Sequence, residues 1–114
     1  MSQPQPDCIF IDDEPFCREA WLLTCQQAGK RALVFQSAAE LLAVAPSLPR
    51  TVPIFLDVDL RDDMSGEELA IRLFDLGFVR LYYATDHDES FLERPKWLAG
   101  IIGKEVPDWV LREK

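Results

Sequence analysis

The sequence predicts an α/β domain in which five strands form one doubly wound parallel sheet, and three observations lead there. Short apolar runs recur with little polar alternation, helical repeats with capping and stop signals fall between them, and acidic residues gather where runs end. Uninterrupted apolar runs mark strands covered on both faces. Alternating with helices, such strands fold through right-handed crossovers into a parallel sheet.

The runs are Cys8 to Ile11, Ala32 to Phe35, Ile54 to Leu56, Val79 to Tyr83 and Leu98 to Ile102. Between the first two, Glu14 to Ala28 reads as a helix, with Phe16, Ala20 and Leu23 at helical spacing and Gly29 as its stop. Ser37 and Glu40 form a capping box for a short helix through Ala45, which Pro46 and Pro49 close. Ser65 and Glu68 repeat the device ahead of Leu69, Leu73 and Leu76, and Gly77 ends that helix. A weaker helix follows Asp88 and fails at Pro95. After the fifth strand only Asp108 to Lys114 remain, so the last helix is expected to be truncated to about two turns. Trp97, Trp109 and Val110 then either fill the core edge or flank a partner surface.

A chain of 114 residues, 48% hydrophobic, builds one core. The expected division is a disordered tail over residues 1–6 and one domain over 7–114. The formal charge of -8 argues against direct DNA binding, which needs clustered Lys and Arg. No signal peptide or membrane-crossing segment is evident, so the expectation is a cytoplasmic protein without membrane contact. Cys8, Cys17 and Cys25 are odd in number, lack CxxC spacing and lie in apolar segments, as reduced buried thiols do.

In open parallel sheets, ligands bind beyond the carboxyl ends of the strands. Strand one ends in Asp12, Asp13 and Glu14, strand three in Asp57 and Asp59, strand four in Thr85 and strand five in Lys104. Convergent carboxylates raise one another's pKa unless a cation neutralises them, and a hard divalent ion with oxygen ligands does so directly. Mg²⁺, or Mn²⁺, is the expected cofactor. Asp12 and Asp13 taken alone read rather as solvated residues at a helix start. Their combination with Asp57, Thr85 and Lys104 favours a site.

The blocks IFIDDEP, PIFLDVDL, LYYATD and IIGKEVP, in this order, resemble those of response-regulator receiver domains of the CheY-like superfamily, over Cys8 to about Val106. The resemblance implies a flavodoxin-like (βα)5 fold and a non-enzymatic phosphoacceptor with autodephosphorylation. It implies that Asp57 accepts the phosphoryl group, that Asp12, Asp13, Asp57 and the backbone carbonyl of Asp59 hold the metal, and that Thr85 and Lys104 contact the phosphoryl oxygens. Thr85 and Ile101 would form the switch region, and Asp59 and His87 would tune the lifetime of the phosphate. The implied partners are a sensor histidine kinase or phosphotransfer protein and a downstream protein target, the chain acting as a stand-alone receiver. A homodimer through the strand 4–strand 5 face is a further reading.

Several positions depart from the family pattern. Asp86 follows Thr85 where a very small residue is usual, Glu105 and Val106 separate Lys104 from Pro107, and Ile101 replaces an aromatic. The connection DVDLRDDMSG is one residue longer than usual and has Arg61 where proline is frequent. These departures leave open a degenerate receiver, a binding module that phosphate does not switch. A phosphohydrolase of the haloacid-dehalogenase type is suggested by Asp57-Val58-Asp59, but Arg61 and the short remainder of the chain fit it poorly.

Overall fold

Four-residue strands alternate with helices along the chain in a computed structural model that describes residues 5–61, 64–86 and 92–112. The elements are β1 (Cys8–Ile11), α1 (Pro15–Gln27), β2 (Ala32–Phe35), α2 (Ala38–Val44), β3 (Ile54–Asp57), α3 (Gly66–Asp75), β4 (Leu81–Ala84), β5 (Gly100–Ile102) and α4 (Asp108–Arg112), and β5 is the one strand of three residues. A 3₁₀ turn, Ala45–Ser47, follows α2 where Pro46 cannot continue the helix. The two predicted capping boxes are formed, with Ser37 accepting from Glu40 N–H and Ser65 from Glu68 N–H.

All strand pairs are parallel, in the order β2-β1-β3-β4-β5. The chain therefore winds one way from β1 to β2 and the other way from β3 to β5. The crevice at the switch lies between the carboxyl ends of β1 and β3, where open α/β sheets bind ligands. Register delivers the acids there, since Ile11 pairs with Leu56 and the next residues are Asp12 and Asp57.

Alternation within each strand builds a core on both faces. Ile9, Ile11, Ile54, Leu56, Leu81 and Tyr83 pack with Leu41 of α2 and with Leu69 and Leu73 of α3. Cys8, Phe10, Phe55 and Ala84 face the other way and pack with Trp21 and Cys25 of α1 and Val110 of α4. On that second face Phe10 stacks on Trp21 at 4.1 Å, Phe55 on Tyr82 at 4.9 Å, and Trp109 lies 5.8 Å from Phe55. Trp97 stacks on Phe74 at 4.7 Å. Trp109 and Trp97 thus fill the two edges of the core, and Val110 is buried.

Two expectations need correction. The stripe Phe16, Ala20 and Leu23 does not face the core: Phe16 is 79% and Leu23 55% exposed, and α1 buries Trp21 and Cys25 instead. The helix carries two apolar stripes, and the larger aromatic surface of Trp21 is the one withdrawn from water. On α3, Leu69 and Leu73 are buried but Leu76, at the C-cap, is 43% exposed. The helix expected between Asp88 and Pro95 lies partly on residues outside the described ones, and the described part, residues 92–94, is not helical. Of the last helix, Asp108–Arg112 is described. No helix among the described residues is long and apolar enough to cross a membrane.

Candidate functional site

The carboxyl ends of β1, β3, β4 and β5 bring together most of the side chains singled out in the sequence. Asp12 is wholly buried, Asp57 is 1% exposed and Thr85 4% exposed. They are the buried polar and charged residues among those described, and they lie at one edge of an otherwise apolar core. Burying unpaired charge is costly, so each needs a partner.

Lys104 supplies much of that pairing. Its ammonium lies 2.8 Å from Asp12 Oδ2 and 3.0 Å from Asp57 Oδ1. The residues between Lys104 and Pro107 therefore do not keep the lysine from the acids. Backbone donors complete the shell: Glu14 N–H donates to Asp12 Oδ1 at 2.8 Å, Asp59 N–H to Asp57 Oδ1 at 2.9 Å, and Arg61 N–H to Asp13 Oδ2 at 3.2 Å. Thr85 is fixed by its backbone, whose N–H donates to Ile102 O at 2.9 Å.

The electrostatics follow from burial. Withdrawal from water pushes the Asp57 carboxyl above its ordinary value, the Asp12 charge adds to that, and the Asp59 N–H and Lys104 act against it. For Lys104 burial alone favours loss of the proton, but hydrogen bonds to Asp12 and Asp57 outweigh it and the net shift is upward.

Carboxylate oxygens of Asp12, Asp13 and Asp57 all lie within 4.8 Å of one another. Three acidic oxygen donors at this spacing, with two of the residues buried, suit a small hard divalent cation such as Mg²⁺ or Mn²⁺. The Asp59 side chain is exposed on the turn after β3. Ile101 is half-buried in β5, and Asp86 is exposed directly after Thr85. His87 lies outside the described residues.

Two neighbours of the site are not among the candidate residues named from the sequence. Arg18 Nη1 donates to the Asp12 backbone carbonyl at 2.8 Å, tying the first turns of α1 to the end of β1. The half-buried Cys17 thiol is raised in pKa by burial and by the nearby Asp12 charge, with a smaller contribution from Asp86. In the sequence Arg18 reads as an ordinary helix position and Cys17 as one of three buried thiols.

No protein-family model matches the sequence, and no curated protein does. Solved structures do match. A CheY-like response regulator receiver domain from Methylobacillus flagellatus is similar at a TM-score of 0.74 and 16% identity, over 96% of this chain and 94% of that one. The N-terminal domain of a response regulator/sensory box/GGDEF three-domain protein from Carboxydothermus hydrogenoformans gives 0.71 and 15%, over 91% and 86%. The FixJ-N structure gives 0.69 at 26% identity, over 96% and 89%.

Proposed function

We propose that this chain, which has the fold of response-regulator receiver domains, is a signalling phosphoacceptor that takes a phosphoryl group on Asp57 from a histidine kinase or phosphotransfer protein and passes the signal to a protein partner. The observation that carries this reading is the geometry at Asp57: a buried carboxylate at a central strand end, paired to Lys104 at 3.0 Å and clustered with Asp12 and Asp13.

In the reaction an Asp57 carboxylate oxygen attacks phosphorus, the bond to the donor's leaving group breaks, and an acyl phosphate forms. The attack needs the negative charge of the phosphoryl group neutralised. Asp12, Asp13 and Asp57, with the Asp59 carbonyl, would hold Mg²⁺ or Mn²⁺, which supplies part of that neutralisation as a Lewis acid. Lys104 follows a phosphoryl oxygen with its ammonium and leaves Asp12 to do so. The Thr85 hydroxyl hydrogen-bonds another oxygen and is drawn towards it, shifting the packing around β4 and β5 near Ile101. Asp59 and His87 act on the hydrolytic water that ends the signal.

A binding module that phosphate does not switch is the second reading, and the exposed carboxylate of Asp86 directly after Thr85, where the family usually has a very small residue, favours it. Incubation with acetyl phosphate and Mg²⁺, followed by intact mass, separates the two. A phosphoacceptor gains one phosphoryl mass in wild type and none in Asp57→Asn or in the presence of a chelator. A wild-type chain that gains nothing leaves the binding-module reading standing.

A further inference from the structure

We infer that Gly66 is a positioning residue for Asp57, holding the phosphoacceptor in register with Lys104 and the other acids by letting the start of α3 rest on the Asp57 peptide. This rests on the reading of Asp57 proposed above and extends it to a residue that touches no reacting atom.

A Cβ built at Gly66 would overlap the Asp57 carbonyl oxygen, lie 2.9 Å from the Asp57 carbonyl carbon and 3.1 Å from Val58 Cα. All three are backbone atoms, so no side chain can rotate away to make room. Gly66 is buried, and positive φ occurs among the described residues only at Gly29 and Gly77. Glycine is therefore needed at this position for closeness, and not for a left-handed backbone.

Neither side of the contact gives easily. The α3 side is anchored by Leu69, Ala70 and Leu73, all fully buried, and by the Ser65–Glu68 cap. The Asp57 side is the end of the central strand, paired with Ala84 and turned by the Asp59 N–H bond to its own carboxylate. A methyl group at residue 66 must push the helix start and the Asp57 peptide apart. Any part of that movement taken by Asp57 lengthens its 3.0 Å pair with Lys104 and spreads the acid cluster. Transfer chemistry is sensitive to such shifts, since a misplacement of about 1 Å can cost about 100-fold in rate.

The test compares Gly66→Ala with Ser65→Ala, which weakens the same end of α3 through its cap without entering the Asp57 contact. Each is measured for acetyl phosphate labelling with Mg²⁺ and, with chelator present, for the Lys104 side-chain ammonium signal by ¹H–¹⁵N NMR at low temperature. The expected result is labelling slowed about tenfold or more in Gly66→Ala and a displaced Lys104 signal, with Ser65→Ala like wild type in both. If Gly66→Ala keeps the wild-type Lys104 signal, or if Ser65→Ala displaces it equally, the positioning role is wrong. Should wild type take no phosphoryl group, the phosphoacceptor reading fails alone, because the Lys104 signal still reports where Asp57 stands.

Discussion

Lys104 Nζ lies 3.0 Å from Asp57 Oδ1 while also reaching Asp12 at 2.8 Å, so one ammonium bridges the two buried carboxylates of the site. The bridge offsets the charge of the acidic edge of the sheet and puts the lysine on two of the acids that a bound cation would use.

Removing the ammonium leaves two buried charges partly unpaired. Breaking a buried pair in this way typically costs about 3–5 kcal/mol, and Lys104→Met is expected to lose an amount of that order in urea unfolding at pH 7 with chelator present. Saturating Mg²⁺ is expected to recover part of the loss. Because the Lys104 pKa is raised, its contribution is complete below its ordinary 10.5 and is lost only as pH rises through the higher folded value. Wild-type stability therefore should not fall for this reason between pH 7 and 10, and a loss there that is absent in Lys104→Met would contradict the assignment.

Asp57 has the opposite balance. Its folded pKa lies above the ordinary 3.8 because burial disfavours the charge, so the folded state carries a penalty whenever the group is ionised. Asp57→Asn is expected to unfold at higher urea than wild type at pH 7 in chelator. As pH falls through the raised pKa towards 3.8 the wild-type carboxyl takes up its proton and the two midpoints converge. Midpoints that stay equally far apart down to that pH would show that desolvation of Asp57 is not the cause.

Metal binding should read out as stability. A ligand present at about 100 times its Kd stabilises the folded state by about 2.7 kcal/mol. Mg²⁺ is expected to raise the wild-type Tm in a concentration-dependent way and to raise that of Asp13→Asn much less. Asp13 belongs to the cluster while Lys104 pairs with Asp12 and Asp57, so its loss separates metal affinity from the ion pair. Equal Tm shifts in both proteins would remove Asp13 from the metal site.

The orientation of α1 can be tested without reference to the site. Phe16→Ser is expected to change stability by no more than about 0.5 kcal/mol, as exposed positions do. Trp21→Ala should cost about 3–5 kcal/mol, because Trp21 is 2% exposed and packed against Phe10 and Phe55. The reverse ranking would mean that α1 is rotated on its axis.

The readability of each feature from sequence follows from where its physics lies. Asp12, Asp57 and Lys104 were legible because parallel strands of similar length put their carboxyl ends at one edge, and the register Ile11 to Leu56 carries that through. The caps at Ser37 and Ser65 were legible because they are local. The buried face of α1 was not, since Phe16 and Leu23 are as apolar as Trp21 and Cys25 and only tertiary packing chooses between the two stripes. Gly66 was invisible for a different reason: its role depends on how near α3 comes to Asp57, and no local pattern encodes that distance.

The most direct test of Asp57 as phosphoacceptor is chemical trapping. After reaction with acetyl phosphate and Mg²⁺, borohydride reduces an acyl phosphate of aspartate to homoserine, which peptide mass spectrometry locates by residue. Homoserine is expected at residue 57 and at no other position, and none when the phosphodonor is omitted. An unreduced Asp57 under labelling conditions, or homoserine at Asp12, Asp13 or Asp59 instead, would contradict it.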